Sequence, residues 1–422
     1  MRKKIKTSRG IGLNPDCGIK TALIVDPYLE DLSGHHYNNL MEIANGLKTQ
    51  KFNILIAVVK NFQPPLSESG YSFFPVFWGT GRKILRRKNV FSKLASILRF
   101  LFKTLKNFLI LRKLISKTNP YLIFQTTTYM KDLLPWILLK RNRIPTFFLF
   151  HALLKSTSER VSFKLFLHTG FLNSHIFCSY SEYLIEFFRR NGVKEKNLLK
   201  LPLIAPIFMW DKFLSSKEPE NISKNKGLPQ KKVYTYPGSA DRRKGFLFLA
   251  QVIPNLMDKY SFQIQCHQIA QDPEISEAIN SLKKLKSENL LLIPRILSEE
   301  EFFDLLYQSH CILLPYNPDY YGQAGGSISG ILPQAFLLGK PVIVTENTWL
   351  ANKVRETGAG VIFQYGDIEG FEGAIEKIAQ NYKEYASRAQ EAGDQIRKIH
   401  GGKAIAQTIT SFIKKNFPEF TN

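Results

Sequence analysis

A glycine- and serine-rich run between residues 320 and 345 has the residue types best suited to hold an anion. Its sequence, YYGQAGGSISGILPQAFLLGKPVIVT, indicates a loop, then an apolar helix from about Gly330, then a buried strand from Pro341. Small residues at the entrance of a helix leave backbone N–H groups uncovered, and with the helix dipole these groups favour an anion such as a phosphate. An ordinary strand–loop–helix connection has the same composition, so the surrounding sequence must decide between the two.

A second candidate site lies at Arg242, Arg243 and Lys244, in a loop before a helix that begins near Phe246. Three cations beside the start of a helix suit a diphosphate, whose negative charge they stabilise. A solvated basic turn is the alternative. His151 directly follows an apolar and aromatic run, which places it at the end of a strand. A metal site is not expected, because no Asp-x-Asp occurs and the histidines do not cluster at ligand spacing.

Short apolar strands alternate with helical segments in both halves of the chain. This rhythm predicts an α/β protein with two facing Rossmann-like, doubly wound domains and a cleft between them. Ligands of such sheets lie beyond the carboxyl ends of the strands. The predicted strands are Thr21–Asp26, Phe52–Val59, Tyr121–Phe124, Thr146–Phe150, Ser174–Cys178, Lys232–Tyr236, Phe262–Cys266, Leu290–Ile293, Cys311–Leu314 and Pro341–Thr345.

Composition divides the chain into predicted domains. Residues 1–205 are predicted to form an N-terminal Rossmann-like domain, and residues 232–395 a second one. The polar, proline-punctuated stretch 206–231 is predicted as a linker. Residues 396–422 are predicted as a C-terminal helix that could cross back to the N-terminal domain.

The net charge of +23 is concentrated in one segment. Residues 82–117 contain twelve Lys or Arg residues and no acid, and apolar residues from Leu94 to Phe108 recur on one predicted helical face. A basic amphipathic helix with aromatic residues is typical of a protein bound to an anionic membrane surface, although a domain helix with a solvated basic side has the same pattern. Nucleic acid is not expected as a partner, because no recognition module accompanies the charge.

Other features indicate a cytoplasmic protein. The four cysteines lie far apart without a CxxC pair, which favours reduced thiols. The basic N-terminus lacks the apolar core of a signal peptide, and no stretch of about eighteen apolar residues is present that could span a membrane. The sequence therefore predicts a cytoplasmic protein that associates peripherally with the inner face of the membrane.

Four stretches of the chain occur in an order shared with a known family. Gly34-His35 opens the first helix, and 179–202 contains a Ser-Tyr-Ser-Glu start and a Lys-Leu-Pro end. Residues 236–245 end in Arg-Arg-Lys-Gly, and Gln334-Ala335 is followed by Gly339-Lys-Pro-Val342. In this order the chain resembles the GT-B glycosyltransferases, closest to glycosyltransferase family 4 (glycosyl transferases group 1).

The resemblance implies a retaining glycosyltransferase that moves a sugar from a UDP- or GDP-sugar to an acceptor hydroxyl in polysaccharide or glycolipid synthesis. The first domain would bind a glycan or lipid-linked acceptor, the second the nucleotide sugar, and no cofactor or metal is implied. The implied catalytic residues are Lys244, Arg243 and His151, with Lys244 on the leaving diphosphate, and Gly34 and His35 would bind the acceptor. His36, in the same loop, is a further candidate to orient the acceptor or a phosphate. The implied donor-binding residues are Gly238, Arg242, Arg295, Ile296, Gly326, Ser327, Ile328, Ser329, Gly330 and Gln334.

The chain departs from the family at three positions. The arginine that the family has just after the glycine of the first loop is replaced by Ser239, and Arg243 or Arg242 would substitute for it. Where the family has two glutamates, this sequence has Gly326 and Gln334. The amide of Gln334 can still hydrogen-bond a ribose, whereas Gly326 offers only its backbone. Two alternatives therefore stay open. One is a catalytically silent GT-B protein that binds a partner or a membrane, and the other is a nucleotide-sugar epimerase, which shares the architecture.

Overall fold

The computed structural model describes residues 20–29, 35–64, 70–78, 90–128, 133, 136, 143–151, 175–216, 231–322 and 329–420. For residue 35 and residues 90–101 it describes the backbone only. Gly34, Gly326, Ser327 and Ile328 therefore lie outside the described residues, as do the side chain of His35 and most of the predicted linker.

The first domain is built on a parallel sheet, to which the described residues contribute seven strands in the order β3-β2-β1-β4-β5-β6-β7. The strand order reverses between β1 and β4, and a crevice opens at such a switch point. The strands are β1 (Thr21–Asp26), β2 (Asn53–Val59), β3 (Ser72–Phe77), β4 (Leu122–Gln125), β5 (Thr146–Leu149), β6 (His175–Ser179) and β7 (Leu198–Lys200). The helices that the structure describes in this domain are α1 (His35–Thr49), α2 (Val90–Thr118) and α3 (Glu182–Arg190).

The second domain repeats the arrangement, with six described parallel strands in the order β10-β9-β8-β11-β12-β13 and a switch point between β8 and β11. Its strands are β8 (Val233–Tyr236), β9 (Ser261–Gln265), β10 (Leu290–Ile293), β11 (Cys311–Leu314), β12 (Val342–Thr345) and β13 (Gly360–Phe363). A helix α4 (Ile207–Ser216) precedes it, and its own helices are α5 (Phe246–Leu256), α6 (Pro273–Lys284), α7 (Glu299–Gln308), α8 (Pro318–Tyr321), α9 (Ile331–Leu337), α10 (Trp349–Thr357) and α11 (Ile368–Gln380). Two further helices, α12 (Tyr382–Ile399) and α13 (Gly401–Asn416), complete the chain.

The predicted fold class, α/β with two doubly wound sheets, is confirmed. Every predicted strand is present, because these runs are apolar and, apart from the edge strand β10, largely buried in their sheets. Three strands were not predicted. The edge strand β3 contains Pro75, which interrupts a strand pattern, β7 has only three residues, and β13 begins at a glycine.

The connection between the domains is structured where it is described. Residues 207–216, inside the predicted linker, form α4. Its Trp210 and Phe213 are buried, with ring centroids 4.1 and 5.5 Å from that of Phe303 in the second domain. The predicted tail helix is two helices, because the chain turns at Gly401 with φ of +78°. The second of these, α13, packs against α1 of the first domain, where a Cβ on Gly46 would lie 1.9 Å from the carbonyl oxygen of Gly402.

Some apolar side chains of helix α2 are exposed to solvent. In its described half, Leu111 and Leu114 are buried together with Thr104 and Asn107. The predicted apolar face is wrong at Leu105, which is 50% exposed, because the helix is rotated so that polar side chains lie inside. None of the helices in the described part of the chain is long and apolar enough to cross a lipid bilayer.

Candidate active site

The loop after β8 presents the amine of Lys244. Gly238 adopts φ of +103°, and a Cβ at this position would lie 2.8 Å from Lys244 Nζ, so the amine lies directly above the glycine. Asp241 accepts a hydrogen bond from the backbone N–H of Arg243 (2.8 Å) and thereby caps the short 3₁₀ turn that carries the lysine. Gly245 then enters α5 with φ of +73°, where a Cβ would lie 1.9 Å from the carbonyl oxygen of Pro315.

Of the three predicted cations in this loop, two are already paired. Arg242 binds Asp272 and Glu274 on α6, with N–O distances of 2.6 and 2.7 Å. Arg243 binds Asp241 at 2.6 Å. Lys244 is half-buried and forms no ion pair within the described residues, and burial lowers its pKa. Lys244 is therefore the cation that is available to an anionic ligand.

The entrance of α9 lies beyond β11 and carries the predicted phosphate loop. Ser329 is buried, and its Oγ accepts a hydrogen bond from the backbone N–H of Ile331 (3.2 Å) and lies 3.4 Å from the hydroxyl of Tyr316. Gln334 Nε2 donates to the carbonyl oxygen of Gly330 (2.9 Å). Its Oε1 is buried and has no hydrogen-bond partner among the described residues, so this atom can accept from a ligand.

A buried amide, not noticed in the sequence, joins the Lys244 loop to the loop after β10. Gln265 Oε1 accepts from the backbone N–H of Gly238 (2.6 Å), and its Nε2 lies 3.4 Å from the carbonyl oxygen of Arg295. The Arg295 guanidinium is turned to Glu301 at 2.6 Å, which leaves its backbone on the loop. The adjoining Ile296 is 66% exposed. A pocket of about 470 Å³ lies beside this loop and is lined by Arg295, Ile296, His267, Asn280 and Lys283, among others.

Across the cleft, the first domain collects polar side chains at its switch point. Asp26 ends β1 and is fully buried. Its two carboxylate oxygens accept hydrogen bonds from the backbone N–H of Tyr28 (2.9 Å) and from the hydroxyl of Thr126, which follows β4 (2.6 Å). The next residue, Thr127, places its hydroxyl 3.1 Å from Nδ1 of His36 on α1. The same imidazole nitrogen lies 3.9 Å from Asp26.

His151, two residues after the end of β5, completes this group. Its Nε2 lies 2.9 Å from the carbonyl oxygen of Thr126, and because a carbonyl only accepts, Nε2 carries the proton. The crowding of protein around the ring lowers the pKa of His151, while the Thr126 carbonyl acts in the opposite direction. The neutral ring therefore keeps Nδ1 as a hydrogen-bond acceptor. Its ring centroid lies 5.8 Å from that of Tyr180, which follows β6.

Sequence reasoning named His151 and the two histidines at the start of α1, His35 and His36, but missed the other groups that hold the site together. The described histidine of α1 that joins the network is His36. Asp26 and Thr126 were missed, although a carboxylate that directly follows the apolar run TALIV is a signal of a strand end, and three threonines follow β4. Their meeting depends on the pairing of β1 with β4, which neither segment shows alone.

The comparisons with known proteins agree with this architecture. Residues 231–381 match the family model "Glycosyl transferases group 1". No curated protein sequence matches the chain. Among solved structures, sucrose-phosphate synthase from Thermosynechococcus elongatus is 14% identical, with 95% of this chain and 100% of that chain covered and a TM-score of 0.63.

Two further structures share the fold. WaaG, a glycosyltransferase involved in lipopolysaccharide biosynthesis, is 13% identical over 93% of this chain and 98% of its own, with a TM-score of 0.54. The UDP-GlcNAc 2-epimerase from Neisseria meningitidis is 14% identical over 94% and 100%, with a TM-score of 0.56. Such low identities establish the fold, and the family match covers the second domain. The protein thus has the GT-B fold, and its second domain matches the family model of the glycosyl transferases group 1.

Proposed function

We propose that the protein transfers a sugar from a UDP- or GDP-sugar to a hydroxyl of a glycan or lipid-linked acceptor, with retention at the anomeric carbon. The observation that carries the proposal is the position of Lys244. Its amine lies over the backbone of Gly238 in the first loop of the second domain and is free of the carboxylates that pair with Arg242 and Arg243. A cation held in this way is poised for a diphosphate that gains charge as the glycosidic bond breaks.

The transfer itself requires few catalytic groups from the protein. The bond between the anomeric carbon and the leaving diphosphate breaks, and the acceptor oxygen forms a new bond on the same face of the sugar. The acceptor proton passes to the departing phosphate oxygen, so no strong protein base is required. Lys244 stabilises the departing charge, and the amides at Ser329 and Gly330 with those of Gly326, Ser327 and Ile328 would receive the phosphates.

The acceptor would bind beside His151. Since its Nε2–H is engaged by Thr126, its Nδ1 is the nitrogen that accepts a hydrogen bond from the acceptor hydroxyl and orients it. On the donor side, Gln334 Oε1 would accept from a ribose hydroxyl in place of the glutamate of the family. Arg295 and Ile296 would contact the base through their backbone.

A basic aromatic surface on the first domain supports a peripheral membrane role. Trp78 and Phe102 are 40% and 58% exposed, and Lys106 Nζ lies 4.9 and 4.4 Å from their ring centroids. Lys60 Nζ lies 4.0 Å from the centroid of the Trp78 ring. Exposed aromatic rings between lysines match the interfacial region of an anionic bilayer. We propose that this surface holds the protein at the cytoplasmic face of the membrane, near lipid-linked acceptors.

Nucleotide-sugar epimerisation fits the described site less well. An epimerase of this fold needs an acid or base that can reach a proton on the sugar ring. The carboxylate of Asp26 is fully buried, and both of its oxygens accept hydrogen bonds.

Release of nucleotide from a panel of sugar donors tests the proposed function. Wild-type protein is incubated with UDP- and GDP-sugars, alone and with candidate glycan acceptors, and free UDP, GDP and sugar are quantified. Transfer or slow hydrolysis of one donor is expected. An epimerised nucleotide sugar in place of free nucleotide would overturn the transferase, and an absence of both nucleotide release and calorimetric nucleotide binding would indicate a silent GT-B protein.

A further inference from the structure

Gln265 is the last residue of β9, and its side chain lies between two loops of the candidate site. Strand β9 is flanked by β8 on one side and by β10 on the other. The loop that carries Lys244 follows β8 and the loop of Arg295 follows β10, so both begin at the edge of the sheet where Gln265 lies. Gln265 is only 3% exposed. A polar side chain at this depth is costly unless its hydrogen bonds are satisfied.

The amide of Gln265 hydrogen-bonds one backbone group of each loop. Its Oε1 accepts from the N–H of Gly238 at 2.6 Å, and its Nε2 donates to the carbonyl oxygen of Arg295 at 3.4 Å. A backbone N–H only donates and a carbonyl only accepts, so the amide has a single orientation that serves both. A carboxylate at this position would lack the donor, and a methionine would lack both groups. The two loops are therefore joined through one side chain.

The hydrogen bond to Gly238 fixes the backbone directly below the amine of Lys244. Gly238 adopts φ of +103°, and a Cβ at this position would lie 2.8 Å from Lys244 Nζ. A shift of the Gly238 backbone therefore moves the surface against which the amine lies. Because the stabilisation of a developing charge depends on where the cation is held, such a shift weakens the effect of Lys244 on a diphosphate.

The other end of this link, the loop of Arg295, is anchored to α7. The Arg295 guanidinium pairs with Glu301 at 2.6 Å, and Glu301 also accepts a hydrogen bond from the backbone N–H of Ser298 at 2.8 Å. The carbonyl oxygen is the group of Arg295 that bonds Gln265. In the function proposed above, the backbone of Arg295 and Ile296 contacts the base of the nucleotide. A base bound there would lie against the loop that Gln265 joins to Gly238.

We propose that Gln265 is a positioning residue, through which binding of the base at the loop of Arg295 places Lys244 for the diphosphate. The inference rests on the proposed function, since it takes a nucleoside diphosphate group as the ligand. Gln265 touches neither the base nor the phosphates and acts through one backbone group of each loop. Recognition of the base and stabilisation of the leaving diphosphate thereby depend on each other.

Calorimetric binding of nucleoside monophosphates and diphosphates tests the proposal without turnover. UMP, UDP, GMP and GDP are titrated into the wild-type protein. For the base that binds, the dissociation constant of the monophosphate divided by that of the diphosphate measures the contribution of the second phosphate. Gln265→Met keeps the length of the side chain and removes both hydrogen bonds, so it should lower this ratio about tenfold. Gln263→Met is the matched control and should leave the ratio unchanged, because Gln263 lies two residues earlier on β9 and accepts from the hydroxyl of Thr235.

A double variant separates positioning from ordinary structural support. In a Lys244→Ala background, Gln265→Met should not lower the ratio further, because the group that it places is gone. Thermal melting shows that each variant is folded, and the backbone bond from Ala240 N–H to the carbonyl oxygen of His267 (2.9 Å) still attaches the loop of Lys244 in Gln265→Met.

Two results would overturn the role of Gln265 while the proposed function stands. One is a wild-type ratio in Gln265→Met, which includes an equal weakening of monophosphate and diphosphate. The other is the same loss of the ratio with and without Lys244→Ala. If the wild-type protein binds none of the four nucleotides, the proposed function falls, and the role of Gln265 falls with it.

Discussion

Glu42 of α1 accepts a hydrogen bond from the backbone N–H of Gly402 at 2.8 Å, across 360 positions of sequence. The other oxygen of the same carboxylate accepts from the backbone N–H of Phe208 at 2.9 Å. These N–H groups lie in the first turns of two helices. Helix α4 precedes the second domain, and α13 follows it. One buried carboxylate therefore supplies the start of both helices with the acceptor that a helix N-terminus needs.

The stability of the protein should depend on pH through Glu42. Burial is the main cause that raises its pKa to about 7, and the charge of Asp211 adds to it, while the two backbone hydrogen bonds act the other way. Because the folded state binds this proton more tightly than the unfolded state, stability is greatest at low pH. It should fall as pH rises from about 4.5 to about 7, by roughly 3 kcal/mol at most. The Asp211 carboxylate is itself paired with Arg397 at 2.6 Å.

The variant Glu42→Gln lacks the titratable carboxyl group and is compared with the wild type. We expect the wild type to lose unfolding free energy between pH 5 and pH 8 relative to Glu42→Gln, while at pH 5 the variant is the less stable because one amide N–H now faces a backbone donor. Chemical denaturation at several pH values measures both curves. The exposed Glu300→Gln serves as the control. Parallel curves for wild type and Glu42→Gln would show that Glu42 does not carry the pH dependence.

The contact between α1 and α13 should tolerate no side chain at Gly402. A Cβ there would lie 1.9 Å from the carbonyl oxygen of Glu42 and 3.2 Å from the backbone nitrogen of Gly46. Gly402→Ala should therefore force the helices apart and cost about 1–3 kcal/mol of unfolding free energy. Gly373→Ala, in α11 with nothing within 4 Å of its Cβ, should instead be neutral or stabilising by about 1 kcal/mol. Melting temperatures of the two variants should thus move in opposite directions, and a Gly402→Ala protein as stable as wild type would contradict the close packing.

The hydrogen bond from the hydroxyl of Thr126 to the buried carboxylate of Asp26 should stabilise the folded protein. Thr126→Val keeps the shape and removes the donor to Asp26 Oδ2, which should cost about 1–3 kcal/mol. Thr126→Ser keeps the hydroxyl and should cost less. Urea denaturation compares the two variants, and nucleotide release with an acceptor shows whether the displaced Thr126 carbonyl also disturbs His151. Equal destabilisation by valine and serine would mean that the lost methyl packing matters more than the hydrogen bond.

Most of the fold could be predicted because its information is local. Buried parallel strands are short apolar runs such as Thr21–Asp26 and Cys311–Leu314, and each is visible without its neighbours. The features that could not be predicted depend on residues that are distant in the sequence. The outward rotation of Leu105 could not be predicted, because the side of α2 that meets the sheet is decided by contacts such as that of Asn107, whose side chain bonds both the N–H and the C=O of Trp78.

The candidate site shows the same difference between what the local sequence indicates and what the fold decides. Clustered charge before a helix identified the loop of Lys244, but not that Asp272, some 30 positions later, would pair with Arg242. The residues around His151 come from three strands and one helix, and Asp26 and Thr126 are separated by 100 positions. Local patterns thus indicate loops whose residues could bind an anion. The fold decides which side chains within them remain available.

Lys244→Ala should lower the rate of nucleotide release about 10²–10³-fold, which is the usual effect of losing one group that stabilises developing negative charge and equals about 3–4 kcal/mol. Arg242→Ala should have a smaller effect, because its guanidinium is held by Asp272 and Glu274. Initial rates with the active donor, at saturating concentration, measure both. Turnover at the wild-type level in Lys244→Ala, or a larger loss in Arg242→Ala, would remove Lys244 from its proposed role.

The exposed rings of Trp78 and Phe102 should bind anionic membranes together with the lysines around them. We expect wild-type protein to sediment at low salt with vesicles of phosphatidylglycerol and phosphatidylcholine, but not with phosphatidylcholine alone. Each cation near the surface contributes about 1 kcal/mol, so Lys60→Gln and Lys106→Gln should each weaken binding about fivefold. Trp78→Ala should weaken it further by removing buried apolar area. Lys284→Gln, on an exposed lysine of the second domain, is the matched control.

Lys60 and Lys106 both lie close to the aromatic rings, with Lys60 Nζ 4.0 Å from the Trp78 ring. The charges and the rings should therefore contribute to membrane binding together. Equal sedimentation of wild type and all variants would place the membrane contact on another face of the protein.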